Sequence, residues 1–343
     1  VAERLMPASP GSPYGRVVHR IKEILMIEAN GLTKRYGEKT AVNDLTFTVE
    51  PGIVTGFLGP NGAGKSTTMR MIAGLDEPTA GSVRVNSADY RRASAPMAEL
   101  GILLEAKAVH TSRSAYHHLL ALAQTNGVPR ARVNEVIDLV GLGEVARKRV
   151  GGFSLGMGQR LGIASALLGD PQTVVLDEPI NGLDPEGILW VRNLLRGLAS
   201  EGRTVFVSSH LMSEMALTAD HLIVVGGGEL IADMSVEQFV AMASTNVVVV
   251  RSPQAGELRD LLMGPDVTVT SAEAGLLEVR GLSAESIGDL AFEHHVRLHE
   301  LAVHQASLEE AFMEMTRDSV EFHAHTTTDR EADGLAHATG GTR

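Results

Sequence analysis

Between residues 26 and 243, short runs rich in Val, Ile and Leu alternate with stretches whose apolar residues recur every three or four positions. The short runs fall at 26–29, 53–58, 173–176, 204–208 and 221–225. The last four have the length and composition of buried parallel strands. Their alternation with helical stretches predicts an α/β unit, a parallel sheet covered by helices.

The pattern changes after residue 243. A strand is expected at 246–251, a helix at 255–263, and a hairpin of strands 267–270 and 276–280 around Glu273-Ala274-Gly275. A helix at 284–294, a strand at 296–303 and an amphipathic helix at 307–317 follow. Ser307 with Glu310 three residues on is a capping box for that last helix. The order β-α-β-β-α-β predicts a small α+β, ferredoxin-like module. Residues 1–25, broken by Pro7, Pro10 and Pro13, read as a disordered leader, and 318–343, without any period, as a disordered tail. His323, His325 and His337 in that tail have no ligand spacing and read as solvated. The expected division is thus 1–25, 26–243, 244–317 and 318–343.

A length of 343 residues suits one large domain and one small one. The formal charge of -12 argues against a nucleic-acid partner held by phosphate neutralisation. With no cysteine, disulfides and thiolate metal sites are excluded. No apolar run approaches the roughly 18 residues that cross a bilayer. Arg16, His19, Arg20 and Lys22 interrupt anything resembling a secretory segment, so a cytoplasmic protein is expected.

Two segments carry chemistry. Gly59-Pro60-Asn61-Gly62-Ala63-Gly64-Lys65-Ser66 fits G-x-x-x-x-G-K-[ST], after a predicted strand and before the helical run that Thr67 begins. Glycines let backbone N–H groups turn around phosphate oxygens, and the helix N-terminus favours negative charge. Lys65 can reach the β and γ phosphates, and the Ser66 hydroxyl can hold Mg²⁺. The second segment, Val174-Val175-Leu176-Asp177-Glu178-Pro179, ends an apolar strand in two acids. Asp177 there can hold Mg²⁺, and Glu178 can orient and deprotonate an attacking water.

Further landmarks narrow the reading. Phe153-Ser154-Leu155-Gly156-Met157-Gly158-Gln159-Arg160 resembles the signature of ABC-type ATPases. Asn181-Gly182-Leu183-Asp184 is similar to that family's D-loop, and Ser208-Ser209-His210 to its switch-histidine loop. Tyr36 matches the aromatic that stacks on adenine. The resemblance covers about residues 27–240, and the Leu-Gly-Met form of the signature together with the added C-terminal module is most like drug- and antibiotic-export subunits of ABC-2-type systems.

The resemblance implies a P-loop NTPase core with a helical subdomain at about 90–165, binding ATP and Mg²⁺. It implies a homodimer in which Ser154 and Gly156 of one copy meet the phosphate loop of the other, with Asp184 at the interface. His210 would stabilise the γ-phosphate and water, and a separate integral-membrane permease would dock the subunit at the cytoplasmic face of the membrane. The family's Gln-loop falls at 100–105, which puts Glu105 where a metal-contacting glutamine is expected.

Overall fold

Leu45, Phe47 and Val49 are buried while Thr46 and Thr48 between them are exposed, the signature of a strand with one wet face. This strand belongs to the first of three sheets in a computed structural model that describes residues 26–105, 109–243, 247–304 and 307–316. The expected leader and tail, and Asn246 at the expected start of the second unit, lie outside the described residues.

The first unit runs β1 (Ile27–Tyr36), β2 (Lys39–Val49), β3 (Val54–Leu58), α1 (Lys65–Ile72), β4 (Ala80–Val85), α2 (Pro96–Glu99) and β5 (Leu100–Leu103). It continues with α3 (Ala115–Thr125), α4 (Arg130–Leu139), α5 (Leu155–Leu167), β6 (Thr173–Leu176), α6 (Pro185–Ser200) and β7 (Thr204–Ser208). It ends with α7 (Met212–Thr218), β8 (His221–Gly226), β9 (Glu229–Ser235) and α8 (Val236–Ala243). The central sheet has the order β5-β6-β7-β3-β8-β9 and is parallel except for β9. Every residue of β3, β6 and β7 is buried, as expected of strands covered on both faces.

A smaller antiparallel sheet, β2-β1-β4, covers one face of the central sheet. Phe47 from the small sheet packs with Phe57 and Phe206 from the large one, each at a ring-centroid distance of 5.9 Å. A separate core, including Leu119, Val136, Leu161, Val191 and Leu195, joins α3–α6 to the sheet. Strands expected at 173–176 and 204–208 are found with those bounds, whereas β2, β4, β5 and β9 are not among the expected strands. The signal for β2 was present in its two-residue alternation.

The second unit contains β10 (Val247–Arg251), α9 (Ala255–Leu262), β11 (Thr268–Glu273), β12 (Leu276–Arg280), α10 (Ala284–Glu293) and β13 (Glu300–His304). Its sheet has the order β11-β12-β10-β13 with every neighbouring pair antiparallel. Val248, Val250, Leu258, Leu277, Val279 and Ile287 form its own core.

Two expectations are corrected here. The strand expected at 296–303 begins only at Glu300. Before it, the Arg297 carbonyl accepts from Ser252 Oγ at 2.8 Å and the Arg297 N–H donates to Gln254 Oε1 at 3.0 Å, so side chains replace the ladder. The last helix, α11 (Leu308–Thr316), has the expected capping box, Ser307 N–H to Glu310 Oε2 at 2.8 Å and Glu310 N–H to Ser307 Oγ at 3.1 Å. Yet Leu308, Ala311 and Phe312 join the core of the first unit beside Phe239 of α8, not the core of the second. Among the described residues, no helix is long and apolar enough to cross a membrane.

Candidate active site

The phosphate-loop motif forms the turn between β3 and α1. Gly64 stands before the first helical residue with φ +94°, and a Cβ there would lie 2.5 Å from the Ala41 carbonyl oxygen. Backbone freedom and lack of a side chain are both needed at that position. No side chain caps α1, so its first N–H groups remain available to an anion.

Lys65 is 8% exposed, and its ammonium donates to the carbonyls of Gly59 at 2.6 Å and Pro60 at 3.1 Å. Burial pulls its pKa below the ordinary lysine value, while Glu178 and Asp177 work in the opposite direction. A desolvated ammonium whose hydrogen bonds go to neutral carbonyls is poised to exchange them for a phosphate oxygen.

Parallel pairing of β6 with β7 brings Leu176 beside Val207, so the acids after β6 emerge next to the end of β7. Asp177 accepts from Ser66 Oγ through Oδ2 at 2.8 Å and from Ser208 Oγ through Oδ1. Glu178 has φ +51° and its N–H donates to Ser208 Oγ at 3.0 Å. The Glu178 carbonyl accepts from Gln159 Nε2 at 3.0 Å, and Nδ1 of His210 lies 2.7 Å from Glu178 Oε2. Three separate segments therefore hold this residue, Ser208 and Gln159 by its backbone and His210 by its carboxylate.

A cleft of about 410 Å³ opens over this group, lined by Tyr36, Lys39, Ala41, residues 61–67, Asp177 and Glu178. Tyr36 is half exposed, and its hydroxyl donates to Asp76 Oδ2 at 2.9 Å. Asp76 in turn accepts from Arg70 Nε at 2.8 Å and Nη2 at 3.2 Å, which ties the ring to α1.

Ser154, Gly156 and Asp184 do not line the cleft. Ser154 caps α5 by accepting from the Met157 N–H at 3.2 Å, and Asp184 caps α6 by accepting from the Gly187 N–H at 3.0 Å. Leu155, half exposed, lies over Gly182, where a Cβ would come within 2.1 Å of Leu155 Cδ2. Gly156 stands beside Leu183 in the same way, so the signature turn and the 181–184 loop are interlocked. Glu105 is exposed two residues beyond the end of β5, outside the cleft lining, which departs from its expected place at the metal. Ser208 and Gln159, both inside the sequence motifs, join the site through bonds to the Glu178 backbone that sequence spacing does not reveal.

The donor set suits a hard divalent cation. Ser66 Oγ and Asp177 Oδ2 offer two oxygens at one point of the cleft wall. Among the described residues, no group of three or more His, Asp or Glu could hold a metal alone. Mg²⁺ is commonly bound by one or two protein oxygens together with phosphates and water, and the residues fit that pattern.

Comparison with known proteins agrees with the geometry. The ABC transporter family matches residues 42–181, and a domain of unknown function matches residues 246–309. The uncharacterized ABC transporter ATP-binding protein YhcH of Bacillus subtilis (strain 168) is 35% identical over 299 residues, covering 86% of this chain and 97% of that protein. The bacitracin transport ATP-binding protein BcrA of Bacillus licheniformis is 40% identical over 212 residues, 61% of this chain and 69% of that one. The dimeric structure of a bacterial ABC transporter cassette superposes with a TM-score of 0.56 at 25% identity, covering 61% of this chain and 98% of the cassette. The chain belongs to the ATP-binding proteins of the ABC transporter family, and it is an ATPase.

Proposed function

We propose that this protein hydrolyses Mg-ATP in the cleft between the phosphate loop and the ends of β6 and β7, and that it powers export through a separate membrane permease. The observation that carries the reading is the Glu178 carboxylate, held by His210 at 2.7 Å on the cleft wall that also presents Asp177 and Ser66. Lys65, Gly59 to Thr67 and the N-terminus of α1 take the phosphates, and Tyr36 stacks on the base. Ser66 and Asp177 would hold Mg²⁺, which supplies charge stabilisation at the phosphoryl oxygens. Glu178 accepts the proton of the attacking water, and His210 orients the carboxylate and the γ-phosphate.

Two copies close the site. Ser154 and Gly156 stand at a helix N-terminus away from the cleft of their own chain, a position suited to a phosphate bound by a second chain. Asp184, at the start of α6, lies on the same side through the contact of Leu155 with Gly182. The dimeric cassette of similar fold supports this arrangement. The bacitracin transport relative supports export of an antibiotic-like molecule, and the subunit would sit at the cytoplasmic face of the membrane. We read the β-α-β-β-α-β unit as a ferredoxin-like accessory module, and we assign no nucleic-acid partner.

The test is Glu178→Gln, assayed for ATP turnover and for ATP-dependent dimers by light scattering. ATP binding should persist, turnover should fall roughly 10²–10⁴-fold, and dimers should accumulate. Wild-type turnover would falsify the assignment of Glu178 as the base.

A further inference from the structure

Ser208 is the last residue of β7 and is fully buried, at the end of the apolar run Val205-Phe206-Val207. A buried hydroxyl is costly unless it is hydrogen-bonded on the spot. Here it is bonded twice, donating to Asp177 Oδ1 and accepting from the Glu178 N–H at 3.0 Å.

We propose that Ser208 is a positioning residue for ATP hydrolysis, whose hydroxyl holds the base Glu178 in register with the metal-binding carboxylate of Asp177. The inference rests on the roles given above to those two acids.

Sheet geometry makes the juxtaposition. The β6–β7 ladder ends at the pair Leu176 and Val207, so Asp177 and Ser208 are the next residues of adjacent parallel strands. The Asp177 N–H continues outward to the Leu103 carbonyl at 2.7 Å, on the β5 side. The Glu178 N–H turns the other way, to the hydroxyl on β7. Glu178 itself has a φ of +51°, a left-handed conformation that a side chain with a Cβ adopts only at a cost. The Ser208 hydroxyl supplies a partner for the Glu178 N–H where the β6–β7 ladder has ended, on the residue whose carboxylate meets His210.

The second bond acts on the metal side. With Oδ1 of Asp177 taken by Ser208, Oδ2 is the oxygen that faces Ser66 at 2.8 Å. One hydroxyl thus selects the oxygen offered to the cation and fixes the backbone of the base. Removing it frees both groups at once, whereas neither ATP phosphate nor adenine is touched.

Ser208→Ala and Ser208→Thr test this, with Glu178→Gln as reference. If the alanine variant does not fold, Ser208→Cys, of similar size and with much weaker hydrogen bonding, takes its place. Loss of the hydroxyl should lower kcat roughly 10–100-fold, the scale of a hydrogen bond to a charged group, with KM for ATP changed less than about twofold. Mn²⁺ titrated in the presence of a non-hydrolysable ATP analogue, read by electron paramagnetic resonance, should bind several-fold more weakly. Ser208→Thr, which keeps the hydroxyl, should recover most of both. Wild-type kcat and Mn²⁺ affinity in Ser208→Ala overturn the proposal. So does a threonine variant as slow as the alanine one, since packing and not hydrogen bonding would then be at work. Wild-type turnover by Glu178→Gln removes the underlying assignment instead, whereas an inactive Glu178→Gln beside an unaffected Ser208→Ala removes the role of Ser208 alone.

Discussion

Replacing Phe312 by alanine tests whether the last described helix belongs structurally to the ATP-binding unit. Phe312 is 7% exposed and packs with Leu308 and Ala311 into the same core as Phe239, Met212 and Met215. Its helix lies against α7, which follows the His210 loop, and against α8. Truncating a buried phenylalanine costs about 3–5 kcal/mol, lost transfer energy plus the cavity left behind. At roughly 2–4 °C per kcal/mol for a unit of this size, the melting midpoint should fall by about 6–20 °C. Phe292→Ala is the control, because that ring is 83% exposed and its removal should change stability by no more than about 0.5 kcal/mol. Differential scanning calorimetry of the two variants beside the parent measures both. A chain ended at residue 243 loses the cover over Phe239 and should melt lower than one ended at residue 316. Equal midpoints for Phe312→Ala and the parent would refute the assignment of α11 to the first unit's core.

Two further predictions follow from the edges of the cleft. Asp76→Asn should weaken ATP binding about two- to fivefold, the scale of an exposed ion pair, and leave inorganic triphosphate affinity unchanged, because its other partner, Arg70, does not line the cleft and Tyr36 does. The Arg70 hydrogen bond, then the Tyr36 hydroxyl, hold the Asp76 carboxyl below the ordinary aspartate range against an opposing desolvation. Its contribution to stability is therefore present above the unfolded pKa and lost as pH falls through the lower folded value, so Asp76→Asn should flatten acid unfolding in that window. Glu105→Gln should leave the Mg²⁺ concentration for half-maximal ATPase unchanged in the isolated subunit, since Glu105 is exposed and outside the cleft. A shifted Mg²⁺ titration would return Glu105 to the metal site.

The chemistry of this protein was legible where it is written in consecutive residues. The phosphate loop at 59–66 and the acidic pair at 177–178 need fixed local spacing, because one turn must wrap a phosphate and one strand end must present two carboxylates. The β-α-β-β-α-β order was legible for the same reason, since periods of two and of 3.6 residues are properties of short segments. Tyr36 and Asp76 are 40 residues apart and Ser66 and Asp177 are 111 apart, so their hydrogen bonds exist only once the sheets are assembled. Ser208 stands two residues before His210 in sequence, yet its bonding partners are set by the parallel register of β6 and β7. Apolar periodicity likewise announced that α11 buries a face but not against what. A helix stripe specifies the need for a partner surface, and only the packed chain decides that this one is satisfied by α7 and α8.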